Sequence, residues 1–202
     1  MKAVVFDFGG VMTTTTMPER VRAYIADKDI PWEALERGFA LYRHDYDGGF
    51  ISLDEMYARI WSDAGLEVAP EIHARILEED TASYLYRNER TLDWMRRLRA
   101  DGFAIGILTN MAPDFAPRFR ETFADFIALA DAMVISGEER MFKPQPAIYG
   151  LLRERIALPA GELLFIDDVE ENCEGARRAG WSAIRFISND QVECDFSHGL
   201  WR

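Results

Sequence analysis

Five short stretches of the chain are apolar almost throughout rather than at alternate positions: Ala3–Phe6, Ala104–Leu108, Met133–Ile135, Leu163–Ile166 and Ala183–Phe186. Strands covered on both faces read this way, because a buried parallel sheet offers neither surface to water. Helical periodicity fills the intervals. Leu92, Met95 and Leu98 share one face of the segment Thr91–Leu98, with Gly102 as its stop. Pro146–Leu152 reads as a helix opened by proline, and Glu171–Ala179 as one ended by Gly180. Strand and helix alternate, which predicts an α/β fold with a doubly wound parallel sheet.

Residues 17–89 break the rhythm. Val21, Tyr24 and Ile25 recur at helical spacing, as do Leu35, Phe39 and Tyr42. A third helix begins at Ser52 or Asp54, both good capping types, and continues through Met56, Tyr57, Ile60 and Trp61. No convincing strand falls here. The expected division is therefore a core of residues 1–16 and 90–202, with residues 17–89 inserted after the first strand as a small helical cap.

Composition narrows the function classes. With 202 residues the chain suits one α/β domain carrying a small insertion. A formal net charge of -12 argues against a nucleic-acid groove. No stretch approaches the roughly 18 apolar residues of a membrane span, and the run before Asp7 is too short for a cleaved signal. Two cysteines, Cys173 and Cys194, make no disulfide framework, so a reducing cytoplasm is the expected compartment. The pattern specifies no oligomeric state. The tail from 189 to 202, with Phe196, Leu200 and Trp201, either folds back or meets a second subunit.

The chemistry lies at the strand ends. Asp7 follows the first strand and precedes Phe8-Gly9-Gly10-Val11; Thr109-Asn110 follow the second; Lys143-Pro144 lie beyond the third; Asp167-Asp168 follow the fourth. In a parallel sheet these ends share one crevice, where ligands bind. Gly9-Gly10 suit a tight turn and lack the spacing of a dinucleotide fingerprint. A carboxylate at such an edge is a metal ligand, a nucleophile or both. His44 and His73 are expected in surface or insertion packing, and Cys173 as a small core residue.

The segments Phe6-Asp7-Phe8-Gly9-Gly10-Val11, Leu108-Thr109-Asn110, Lys143-Pro144 with Ile148-Tyr149, and Phe165-Ile166-Asp167-Asp168 with Asn172 resemble, in order, the four motifs of the haloacid dehalogenase superfamily. The likeness spans residues 2 to about 187. Within the superfamily it is nearest to sugar-phosphate phosphatases and the N-terminal phosphatase domain of soluble epoxide hydrolases. The resemblance implies a Mg²⁺-dependent phosphomonoesterase acting on a small phosphorylated metabolite, with sugar phosphates the first expectation. It implies Asp7 as nucleophile, and Mg²⁺ held by Asp7, Asp168 and the Gly9 carbonyl. It also implies phosphoryl contacts from Thr109, Asn110 and Lys143, with Asp167 and Asn172 orienting their neighbours.

One position departs from the pattern. The family's phosphatases usually carry a second aspartate two residues after the nucleophile, and here that position is Gly9. General acid–base help is worth roughly 10²–10⁴ in rate. Substitutes are sought in Thr13–Thr16 and His44-Asp45-Tyr46-Asp47. The alternative is a catalytically weak or inactive module that binds a phosphorylated ligand. A third, poorer fit is 2-haloacid dehalogenation, for which two adjacent carboxylates at a strand end have no use.

Overall fold

The computed structural model describes residues 2–15 and 18–199. Its elements run β1 (Ala3–Phe6), α1 (Glu19–Ile25), α2 (Trp32–Asp47), α3 (Leu53–Ala64), α4 (Pro70–Ser83), α5 (Glu89–Ala100), β2 (Ala104–Thr109), α6 (Ala116–Thr122), α7 (Ala124–Ile127), β3 (Ala132–Ile135), α8 (Ser136–Glu139), α9 (Pro146–Ile156), β4 (Leu163–Asp167), α10 (Glu170–Arg178), β5 (Ser182–Arg185) and α11 (Asn189–Ser197).

The five strands form one sheet in the order β3-β2-β1-β4-β5, every pair parallel. The apolar runs explain it. Alternate residues of each strand face opposite sides. Val4, Phe6, Ile105, Ile107, Leu164 and Ile166 pack on one side with Leu92, Met95 and Leu98 of α5. Val5, Leu108, Val134 and Phe165 pack on the other with Ile148, Tyr149 and Leu152 of α9 and Ala176 of α10. Both faces are covered, so the predicted doubly wound α/β sheet is the observed one.

Register places the chemistry. Phe6 pairs with Ile107 on one side and Ile166 on the other, so Asp7 and Asp167 emerge side by side from adjacent strands. The Asp7 amide still donates to the Ile166 carbonyl, at 2.9 Å. Two polar residues expected just beyond the strands belong to them: Thr109 pairs with Ile135 and Asp167 with Arg185. A ladder uses only backbone groups, so a polar side chain does not end it. The fifth strand lies one residue earlier than expected, at Ser182–Arg185.

Helices α1–α4 have a core of their own, built on Val21, Leu35, Phe39, Met56, Tyr57, Ile60 and Trp61. The helix expected at Ser52 or Asp54 starts at Leu53, where the Ser52 hydroxyl accepts from the Glu55 amide at 3.1 Å. His73 closes this unit, accepting from Trp61 Nε1 at 2.8 Å and facing Asp54 at 2.9 Å. Helix α4 escaped the periodicity because its buried residues include Glu79, Asp80 and Ser83 beside Ile76. Two bonds tie this unit to the strand-end loops: the Leu53 amide donates to Asp114 at 3.1 Å, and the Ser136 hydroxyl donates to the Asp47 carbonyl.

The tail folds back as α11, where Phe196 stacks edge-on against Trp94 and Phe103, each with centroids 5.6 Å apart. Leu200 and Trp201 lie outside the described residues. No helix among those described is long and apolar enough to cross a membrane. Cys173 is buried, as expected.

Candidate active site

Asp7 sits at the centre of the sheet edge because β1 is the central strand. The chain turns at once behind it: the Val11, Met12 and Thr13 amides all converge on the Phe8 carbonyl, and Gly10 adopts φ 65°, the left-handed region that glycine enters without strain. This tight turn holds the Asp7 side chain over the strand end. Its Oδ1 accepts from the Phe8 amide at 2.7 Å and faces Lys143 Nζ at 2.7 Å. Oδ2 receives neither bond.

Lys143 is 1% exposed, and its ammonium also meets Asp167 Oδ2 at 2.6 Å. Asp167 is fully buried and richly held. Its Oδ1 accepts from the Val169 amide at 2.8 Å, and the Asn172 amide reaches both oxygens at 3.1 Å. Asn172 is fixed in turn through its carbonyl, which accepts from Tyr149 OH at 2.8 Å. Asn110 clamps the lysine loop, donating to the Lys143 carbonyl at 3.0 Å and accepting from the Lys143 amide at 2.8 Å. Met111, next to it, donates its amide to Ser136 Oγ at 2.8 Å. The ends of β1 and β4 thus meet at one ammonium, and the end of β2 holds the backbone of the residue that carries it.

The electrostatics are unbalanced. One oxygen each of Asp7, Asp167 and Asp168 lies within 4.8 Å of the others. Three carboxylates face one ammonium in a mostly buried site, so ionising all three would leave two negative charges uncompensated. Burial, with Asp167 adding to it, pushes the Asp168 carboxyl up to about 6. Burial also raises Asp7 well above the carboxylate range, against the pull of Lys143, and the neighbouring Asp167 and Asp168 add to the rise. A dication between Asp7 and Asp168 would reverse both shifts. The donor set fits a hard cation that takes oxygen ligands. Asp167, saturated by Lys143, Val169 and Asn172, is the least free of the three to serve it.

Thr109 is fully buried, and its hydroxyl is the one buried side-chain polar atom among the described residues that lacks a hydrogen-bond partner. Such groups are rare and costly. Its sequence neighbour Asn110 lines the cavity, and Thr109 itself does not.

The cavity over Asp7 measures about 310 Å³. Asp7, Gly9, Asn110, Lys143, Asp168 and Asn172 form its floor. A second set, which periodicity did not single out, comes from the helical insertion: Arg43 and Ala40 of α2, Asp80 of α4, and Tyr84 just beyond it. The signal was present in part, since Phe39, Arg43 and Asp47 recur every fourth residue on α2. Arg43 Nε donates to Asp47 Oδ1 at 3.1 Å, and the guanidinium lies 5.2 Å from the Tyr46 ring and 5.1 Å from that of Tyr84. Asp80 accepts from Tyr57 OH at 2.6 Å.

The groups proposed to stand in for the missing acid separate. Thr13 donates to the Tyr86 carbonyl at 2.6 Å and is absent from the lining; Thr16 lies outside the described residues. Asp45 is exposed and also absent from the lining. His44, Tyr46 and Asp47 do line it. His44, expected in surface or insertion packing, stacks on Phe142 with centroids 5.4 Å apart. A Cβ added at Gly9 would meet nothing within 4 Å.

Comparison with known proteins agrees with this geometry. The family described as "Hydrolase: haloacid dehalogenase-like hydrolase" matches residues 1–180. A sesquiterpene phosphatase of Aspergillus oryzae is 31% identical, over 93% of this chain and 91% of its own. A D-ribitol-5-phosphate phosphatase of Bacteroides thetaiotaomicron is 24% identical, over 92% and 91%. Among solved structures, a HAD-family enzyme of Bacteroides thetaiotaomicron in complex with magnesium and inorganic phosphate superposes with a TM-score of 0.68 at 22% identity, covering 92% of this chain and 93% of that one. The chain belongs to the haloacid dehalogenase-like hydrolase family, and these two curated relatives, matched along nearly their whole length, are phosphatases.

Proposed function

We propose that this protein is a Mg²⁺-dependent phosphomonoesterase that works through an aspartyl-phosphate on Asp7. One observation carries the reading: a buried lysine bridges Asp7 and Asp167 beside Asp168, which leaves two uncompensated negative charges at the sheet edge once all three carboxyls ionise. A phosphate monoester adds about two more, which an oxygen-rich site tolerates only with a cation present. Asp7, Asp168 and the Gly9 carbonyl would hold Mg²⁺, which when bound neutralises the phosphoryl oxygens. The structural neighbour solved with magnesium and phosphate supports this.

Asp7 Oδ2 attacks phosphorus while Oδ1 stays held by the Phe8 amide and Lys143. The new O–P bond forms as the ester O–P bond breaks, and the leaving oxygen takes its proton from water, because position 9 offers no acid. A second water then attacks phosphorus as the Asp7 O–P bond breaks, its proton passing to solvent, which releases phosphate and restores the Asp7 carboxylate. Lys143 steadies the charge passing between Asp7 and the phosphoryl group. The unpaired Thr109 hydroxyl stands outside the lining, so it would meet a phosphoryl oxygen only where ligand entry opens the Asn110 side of the floor. Asn110 acts by fixing the lysine loop, and Asp167 and Asn172 by aiming Lys143. Helices α1–α4 serve as the cap over the crevice.

Gly9 favours a second reading, a binder that does not turn its ligand over. One panel separates the two. The enzyme should release phosphate from small monoesters with Mg²⁺ and stop with EDTA; ligand-induced thermal stabilisation without any release would support the binder. Run on Gly9→Asp, whose Cβ enters open space, the panel should show rates on alkyl esters raised by roughly tenfold or more. Halide release from a 2-haloacid that persists in EDTA would overturn both. The names of the relatives span a terpene and a polyol phosphate, so kinship alone leaves the leaving group open.

A further inference from the structure

We infer that the alcohol half of the substrate is apolar, an alkyl or alkenyl chain rather than a sugar or other polyol; this rests on the phosphomonoesterase reading above. The cavity is lined unevenly. The reacting groups Asp7, Lys143 and Asp168 lie in the floor, and His44 and Glu171 also stand in the lining. Above the floor the walls are Phe39, Tyr46 and Tyr84 from the insertion, and Met111, Ala112 and Phe115 from the loop after β2. Met111 and Ala112 are almost wholly buried, at 3% and 1% exposure.

The charged groups of the roof are partly committed to protein partners. Arg43 donates to Asp47 and lies against two tyrosine rings, while Asp80 takes the Tyr57 hydroxyl. Burial pushes both the Asp47 and Asp80 carboxyls up, with Arg43 opposing, as expected of a roof poor in water. In the floor, the Asn110 amide is committed on both sides to the Lys143 backbone. A polyol entering here would give up water at each hydroxyl along walls in which the Phe39, Met111, Ala112 and Phe115 side chains return no hydrogen bond. A hydrocarbon chain loses nothing and leaves water behind. At about 310 Å³ the space stands at the small end of ligand cavities, so it suits a chain of moderate length.

The test is a phosphate-release series with Mg²⁺: methyl, propyl, pentyl, heptyl and decyl phosphate, with a pentitol phosphate as the polyol matched to pentyl. The expected result is a kcat/KM that climbs about fourfold per methylene until the cavity is full. Pentyl phosphate should also exceed the pentitol ester by about tenfold or more. A flat series, or a preference for the pentitol ester, would overturn the inference while leaving the phosphatase reading intact. Release from none of the esters would overturn the phosphatase reading and this inference with it.

Discussion

Asp7→Asn should abolish turnover, lowering kcat by roughly 10⁴-fold or more, while the protein stays folded. Asparagine keeps the shape of the side chain and can still accept the Phe8 amide bond through Oδ1. What it loses is the anionic oxygen that bonds to phosphorus, and no neighbour replaces it. Asp167 is buried under Lys143, Val169 and Asn172. Asp168 lies outside the ladder and is the second cation ligand in the proposed mechanism. Removing one of three crowded carboxylates relieves repulsion, and Lys143 keeps Asp167 as a partner. The melting temperature should therefore change little. Circular dichroism melting and single-turnover phosphate release measure the two halves of this expectation; substantial turnover by Asp7→Asn would place the nucleophile elsewhere.

Lys143→Met should be the most damaging substitution for the fold. The ammonium stands 2.7 Å from Asp7 and 2.6 Å from Asp167, both buried. Methionine fills the space but leaves two carboxylates facing each other without a counter-charge. Breaking a buried pair in this way costs about 3–5 kcal/mol. The loss depends on pH with a definite sign. Stripped of Lys143, the carboxylates have folded-state pKa values above their unfolded ones, so the folded variant binds more protons and its stability falls as pH rises. In the parent, burial pulls the Lys143 pKa down, but Asp167 and Asp7 together outweigh it and hold the value above its ordinary 10.5. Its contribution is fully present below the unfolded lysine pKa and disappears only in strong base. The stability gap should accordingly widen between about pH 5 and about pH 8 in metal-free buffer. Urea titrations at both values test it, and a gap that narrows would contradict the charge account.

The core and floor were readable because β strands buried on both faces announce themselves as apolar runs, and each run ends where water-facing chemistry can begin. Asp7, Thr109 and Asp167 mark those ends directly, and the parallel topology brings them together. The second and fourth strands run on where a polar residue stays in the ladder, as Thr109 and Asp167 do, while the fifth starts one residue early at Ser182. The roof was much less legible. Arg43 on α2 looks like an ordinary solvent-facing helical residue until α4 and Tyr84 enclose it. Asp80 and Glu79 disguise α4, because a helix that buries carboxylates lacks the apolar stripe by which helices are found. Which way those side chains face is set by packing between helices distant in sequence, and a single chain's periodicity carries no record of it. For the same reason the missing acid at Gly9 was visible at once, while its candidate replacements could be sorted only by their place around the cavity.

The most direct test of the central claim is the structure of the protein with Mg²⁺ and beryllium fluoride, a mimic of a phosphoryl group on a carboxylate. The account predicts beryllium bonded to an oxygen of Asp7, with the cation between Asp7 and Asp168 and Lys143 still in contact with Asp7. Fluoride adduct on any other side chain, from protein that hydrolyses monoesters under the same conditions, would contradict it.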